Sequence, residues 1–194
     1  MDKWISHPYE AERRVYAPTS PPAENSSAAA ANEPSDADAS RGPSGYGGIL
    51  RDDLGNFVCC FHVFIHRSDG DGDGLTAEFH GIHKGLKLLN KHGYLGSILE
   101  TDCKAAFEWV TEEKEGPTKS KIIYDCYGII KECIKLIRIN KIKVEKIVGK
   151  HGIRCADKLA AMALKEEKDY MEFEDVPREI KSFVDKDKST IKCV

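Results

Sequence analysis

A chain of 194 residues is long enough for one domain with extensions and short for two. Apolar residues make up 41% and charged residues 31%, enough for a real core, and a formal charge of −3 excludes a globally basic protein, so any contact with a polyanion has to come from a local patch. No apolar run approaches the roughly 20 residues of a membrane-spanning helix, and the start, MDKWISHPYEAERR, is too charged for a secretory signal peptide.

Residues 1–16 have aromatic and basic character without a period. Residues 17–37 are mainly Ala, Ser, Pro, Asn and Glu, a composition that buries little, so 1–37 is expected to be a low-complexity, disordered stretch. Order is expected from Asp38. After turn-rich Ser40–Gly48, GGILRD and the segment Phe57–His66 read as the two strands of a hairpin closed by Asp53-Leu54-Gly55-Asn56. A helix is predicted over 76–92, with Phe79, Ile82, Leu86 and Leu89 on one face, His80, Lys84, Lys87 and Lys91 on the other, and Gly93 as its C-terminal cap. A strand over Ser97–Asp102 leads into a helix over 104–113, which Gly116-Pro117 ends. A longer helix over 120–139 carries Ile123, Tyr127, Ile130, Ile134 and Ile137 on one side. A strand over 141–148 and a helix over 154–165 follow. The domain is thus expected over 38–168. Residues 169–194 form a charged tail whose small apolar cluster of Ile180, Phe183 and Val184 either folds back or stays loose.

The seven cysteines include no Cys-x-x-Cys pair, which suggests neither a zinc site nor a disulfide framework. Buried thiols in a reducing, intracellular compartment are expected, with cytoplasm and nucleus not distinguished.

Strands alternating with helices imply an α/β sheet with some parallel pairs, and in such sheets the ligand crevice lies beyond the carboxyl ends of the strands. Asp102 falls there, at the end of ILETD. A carboxylate in that position is costly unless it is paired or holds a cation. Its bland role is to cap the helix that follows, which would also fix its position. Glu100, two residues earlier, shares its strand face and is a helper or a salt-bridge partner. Glu78 and Asp157 each lie near a helix start on the packed side, where an acidic residue also complements the helix dipole. The loop Asp69-Gly70-Asp71-Gly72-Asp73-Gly74 matches the opening of a calcium-binding EF-hand loop. Its twelfth position, however, is His80 and a strand precedes it, so a calcium-responsive adaptor is a remote reading. Lys84, Lys87 and Lys91 share a helix face that is solvated by default and could hold phosphates.

GYGGILRDDLGNFV, TAEFHGIHKGLKLLNKHGY, ILETDCKAAFEWV and RCADKLAAMAL resemble, in that order, the ribonuclease-H-like domains common in plants and related to the ribonuclease H portion of retroelement reverse transcriptases. The resemblance implies an α/β fold, a five-stranded mixed sheet flanked by helices. It also implies a metal-dependent endoribonuclease that cuts the RNA strand of RNA–DNA hybrids, with two Mg²⁺ (or Mn²⁺) ions held by Asp38, Glu78, Asp102 and Asp157. A hybrid-binding role for Lys84, Lys87 and Lys91 and a monomeric state without membrane contact accompany that reading. The family places an alternating apolar strand before its first Asp. Here AAANEPSDA precedes Asp38, with a proline and no β-branched residue, and Asp36 competes with Asp38. The alternative is therefore a catalytically impaired module of the same fold that binds nucleic acid or a protein partner. The discriminating feature is whether the residues before Asp38 pair beside the Asp102 strand.

Overall fold

The computed structural model describes residues 14–16, 44–52, 54–66, 74–112, 121–147 and 153–191. Among the described residues, six strands, β1 (Arg14–Tyr16), β2 (Ser44–Arg51), β3 (Phe57–Ile65), β4 (Ile98–Thr101), β5 (Lys143–Lys146) and β6 (Met171–Phe173), are interleaved with five helices. These are α1 (Gly74–Lys91), α2 (Lys104–Thr111), α3 (Lys121–Ile139), α4 (Ile153–Glu166) and α5 (Lys181–Ile191). The strands form one mixed sheet in the order β5-β4-β1-β2-β3-β6. β1 and β5 run parallel to β4, whereas β2, β3 and β6 pair antiparallel with their neighbours.

Two placements correct the sequence reading. The strand between β4 and β2 is Arg14–Tyr16, inside the stretch expected to be disordered, and the residues directly before Asp38 lie outside the described residues. Val15 and Tyr16 are β-branched and aromatic, as a central strand requires, whereas Pro34 and the alanine run before Asp38 are not. At the other end, β6 adds a sixth strand beside β3, and Ile180 and Val184 are buried against α4 and the sheet, so the tail folds back on the domain.

Successive residues of the hairpin strands serve opposite faces of the sheet. Leu50 and Cys59 pack with Leu99 against Phe79, Ile82 and Leu86 of α1, Trp109 of α2 and Ile130 of α3. Ile49 and Cys60 pack against Cys155, Leu159 and Met162 of α4, with Ile180. Helix α4 lies very close to β2 because two β2 positions have no side chain. A Cβ on Gly47 would stand 2.4 Å from the Leu159 Cβ, and one on Gly45 would stand 2.8 Å from the Ala160 carbonyl oxygen. The alanines of RCADKLAAMAL supply the matching small surface, with Ala156, Ala160 and Ala163 fully buried. The hairpin turn is held by Asp52, whose Oδ1 accepts from the Asn56 N–H at 2.6 Å, while Gly55 takes a φ of 75°. Cys59, Cys60, Cys126, Cys133 and Cys155 are buried free thiols, as expected, and burial pushes Cys59 up to about 11 and Cys133 up to about 12.

Candidate active site

The topology places three of the four predicted carboxylates, Glu78, Asp102 and Asp157, towards one end of the sheet. The parallel strands β1, β4 and β5 share a direction, so their carboxyl ends lie together. Helix α2 follows β4 directly. Helix α4 follows β5, and α1 follows β3, whose last residue Ile65 lies opposite Ser44 at that same end of the sheet. The N-terminal turns of α1, α2 and α4 therefore lie towards the same end of the sheet, with Glu78 in α1, Asp102 just before the cap of α2 and Asp157 in α4.

Asp102 follows the last residue of β4. It does not cap α2. The N-cap is Cys103, whose Sγ accepts from the Ala106 N–H at 3.5 Å, and Thr101 Oγ1 accepts from the Cys103 N–H at 3.2 Å. With the helix end satisfied by its neighbours, the Asp102 carboxylate is left pointing out of the strand end, open to solvent on one side. Protein atoms crowding its other side raise its pKa above the usual aspartate range. Cysteine is outside the usual capping set, so the division of labour between Asp102 and Cys103 was not legible in the sequence.

Glu78 is 5% exposed, on the fifth residue of α1. Burial first, and then the negative charges of Glu78 and Asp102, push the Cys103 thiol up, against the N–H groups of Ala106 and Ala105. Glu100 is 6% exposed within β4, level with Tyr16 of β1 and Glu145 of β5. Asp157, expected on the packed side, is instead exposed on the fifth residue of α4, whose buried side is Cys155, Ala156, Leu159 and Ala160. Asp38, Asp36 and the loop aspartates Asp69, Asp71 and Asp73 lie outside the described residues. Among the described residues, no three His, Cys, Asp or Glu side chains are grouped closely enough to hold a metal ion.

The three lysines of α1 have partners within the chain. Lys84 Nζ stands 3.5 Å from the centroid of the Tyr170 ring, and burial lowers its pKa. Lys91 Nζ pairs with Glu172 at 3.0 Å, and Lys87 Nζ lies 3.6 Å from Glu132. The segment leading into β6, expected to belong to the charged tail, thus covers part of the face predicted to hold phosphates.

A hard cation such as Mg²⁺ is commonly held by one or two carboxylates together with water and substrate phosphates. Glu78 and Asp102 offer carboxylate oxygens of the kind such a cation takes, and its charge would oppose the burial that raises the Asp102 pKa. A second ion would need Asp157 and a carboxylate from outside the described residues.

The model of the reverse transcriptase-like family matches residues 35–163. The chain belongs to the reverse transcriptase-like family. The match begins a few residues before Asp38 and well after β1, so the family pattern and the central strand come from different stretches of this reverse transcriptase-like chain. A comparison with curated proteins finds no match. Among solved structures the fold is similar to the N-terminal RNase H domain of a Mycobacterium tuberculosis protein. The TM-score is 0.59 and the identity 19%, over 80% of this chain and 95% of that one. It is similar to RNase H1 from the halophilic archaeon Halobacterium salinarum, with a TM-score of 0.58 and 18% identity over 80% of this chain and 98% of that one. It is also similar to LC11 RNase H1 in complex with an RNA/DNA hybrid, with a TM-score of 0.57 and 14% identity over 80% of this chain and 99% of that one. This reverse transcriptase-like chain therefore has the RNase H fold.

Proposed function

We propose that this domain binds RNA–DNA hybrids and hydrolyses the RNA strand endonucleolytically, acting as a monomer with Mg²⁺ or Mn²⁺. The observation that supports this best is a buried Glu78 on α1 whose charge, with that of Asp102 at the end of β4, pushes the Cys103 thiol up. When bound, two such ions supply an activated water and neutralise charge on the leaving oxygen. Glu78 and Asp102 are the residues most suited to hold an ion, followed by Asp157 and Asp38. Thr101 and Cys103 fix the backbone on either side of Asp102, so its carboxylate is oriented without having to cap the helix. Lys87 and Lys91, still about half exposed, would steady the phosphates, and choice of the RNA strand would need contacts to 2′-hydroxyls.

One observation favours a second reading, binding without cleavage. The place beside β4 is taken by Arg14–Tyr16. Tyr16 is level with Glu100, and the residues that follow it in sequence, Ala17, Pro18 and Thr19, carry no carboxylate.

Cleavage and binding of a labelled RNA–DNA hybrid separate the two. The native protein, Asp102→Asn and Asp38→Asn are compared with Mg²⁺ and with Mn²⁺. Hydrolysis predicts cutting by the native protein that falls to background in Asp102→Asn while hybrid binding persists. A folded native protein that binds the hybrid and never cuts it overturns the hydrolytic reading and leaves the binding module. Native cutting that survives Asp38→Asn removes Asp38 from the site.

A further inference from the structure

The outward face of α3 and the edge strand β5 hold a concentration of positive charge that the site above does not use. Residues 131–146 contain six basic side chains, Lys131, Lys135, Arg138, Lys141, Lys143 and Lys146, and two acidic ones, in a chain whose formal charge is −3. The helix buries Ile123, Cys126, Ile130 and Cys133 against the core. The opposite stripe, Tyr124, Gly128, Lys131, Lys135 and Arg138, repeats at alternating four and three residues and is exposed throughout. Tyr124 is 67% exposed, and a Cβ on Gly128 would meet nothing within 4 Å, so the space above Gly128 is open. Lys131 Nζ lies 4.7 Å from the centroid of the Tyr127 ring.

Three acidic side chains adjoin this charge. Glu132 turns towards α1, where it pairs with His83 at 2.9 Å and Lys87 at 3.6 Å. Glu145 pairs with Lys143 at 2.7 Å, and Asp125 stands exposed beside Tyr124. Among the described residues Lys135, Lys141 and Lys146 are in no ion pair. Lysines on an edge strand also guard it against pairing with another chain, but that purpose does not require a matching row on α3.

The stripe leads back to the site. β5 is parallel to β4, so α3 ends at the far end of the sheet and begins near the carboxyl ends of the strands. Its 19 residues span about 28 Å. The chain then returns along β5 to Lys146, level with Thr101 and so next to Asp102.

We infer that the α3–β5 face binds single-stranded nucleic acid, the unpaired continuation of a strand held at the carboxyl end of β4. Lys131, Lys135, Lys141 and Lys146 contact phosphates, and Tyr124, nearest the site, offers a ring for a base to stack on. A basic track with an exposed aromatic is the usual composition of surfaces that take single strands without reading their sequence. The inference rests on the nucleic-acid reading of the site, but not on hydrolysis.

The test is fluorescence anisotropy of the full chain with a labelled single-stranded oligonucleotide and with a blunt hybrid, in chelator, over a range of salt. The variants are the Lys131→Glu/Lys135→Glu pair and Tyr124→Ala, and the control is Lys158→Glu/Lys165→Glu, which makes the same charge change on exposed positions of α4. Single-strand affinity should fall by about tenfold or more in the α3 pair, and the logarithmic salt slope should shrink by about 1.4. Tyr124→Ala should cost about tenfold. The control and the blunt hybrid should change little. Unchanged single-strand binding by both α3 variants overturns the inference, as does an equal loss in the control. Displacement of the oligonucleotide by polyglutamate at equal charge, with Tyr124→Ala silent, also overturns it and assigns the face to an acidic protein. A native protein that binds single strands here yet leaves hybrids uncut disproves the hydrolysis alone. Uncompromised hybrid cleavage with no single-strand binding disproves this inference alone.

Discussion

Asp102 and Cys103 divide two tasks that one aspartate often performs where a strand runs into a helix. Cys103 accepts from the free N–H of the first turn, and Asp102 keeps its carboxylate at the strand end in surroundings that disfavour its charge. An acid whose pKa rises on folding weakens the native state once it ionises. The penalty is absent at pH values below the unfolded-state pKa of about 3.9 and complete above the folded-state value. Asp102→Asn is therefore expected to raise the thermal midpoint at pH 7 in chelator, with the gain fading as the pH falls towards 3. A midpoint at pH 7 that drops instead would mean that the carboxylate serves the fold. The sequence put Asp102 at the end of a strand and named capping as its bland role. It could not separate the two roles, because they differ only in which of two adjacent side chains reaches the helix N–H groups.

At the scale of elements, the position of α4 depends on glycines. Gly47 and Gly45 let the helix backbone approach β2 where any Cβ would collide. Gly47→Ala is expected to destabilise the domain by about 1–3 kcal/mol, the usual cost of overpacking. Urea denaturation measures it, and a neutral result would mean that Leu159 moves aside freely. Because α4 carries Asp157, the same variant should shift the site more than Gly128→Ala, which meets open space. A second element-scale expectation concerns acid. His62 on β3 is fully buried, rings with Phe173 of β6, and lies 3.5 Å from Glu166. Burial lowers its pKa, and Glu166 opposes that shift without reversing it. The unfolded chain takes up a proton below about pH 6.5 while the native His62 stays neutral, so stability is expected to decline as the pH drops from there. His83, whose pKa burial also lowers, adds to the same slope. His62→Phe should flatten part of the decline between pH 7.5 and 5.5 in denaturant titrations. An unchanged slope would assign it to other groups.

For the whole molecule, the returning C-terminal segment is part of the domain. Ile180 is fully buried in the layer shared by Ile49, Cys60, Leu159 and Val184. Ile180→Ala should cost about 2–5 kcal/mol, the range for a large core residue cut to Ala. Ile139→Ala, at a position 62% exposed, should change stability by no more than about 0.5 kcal/mol. Equal effects of the two, measured by thermal unfolding, would mean that the segment is only loosely applied. The tail was hard to read because Ile180, Phe183 and Val184 are few and sit among charges, so their pattern has no period long enough to favour a packed helix.

The sequence alone determined the order of most elements, since α1, β3, α3 and α4 carry long apolar patterns of one clear period. It also determined that Glu78, Asp102 and Asp157 lie near element ends, because end positions follow from where those patterns stop. Only the tertiary structure decided which three residues complete the middle of the sheet. Arg14–Tyr16 is too short to show a period, and a central strand of that length is selected by its two neighbours rather than by its own propensity. For the same reason the α1 lysines could be counted in the sequence but not their partners, as Tyr170 and Glu172 reach Lys84 and Lys91 only once β6 has paired with β3. Local pattern sets what each segment can become, and pairing across the sheet sets which charges meet.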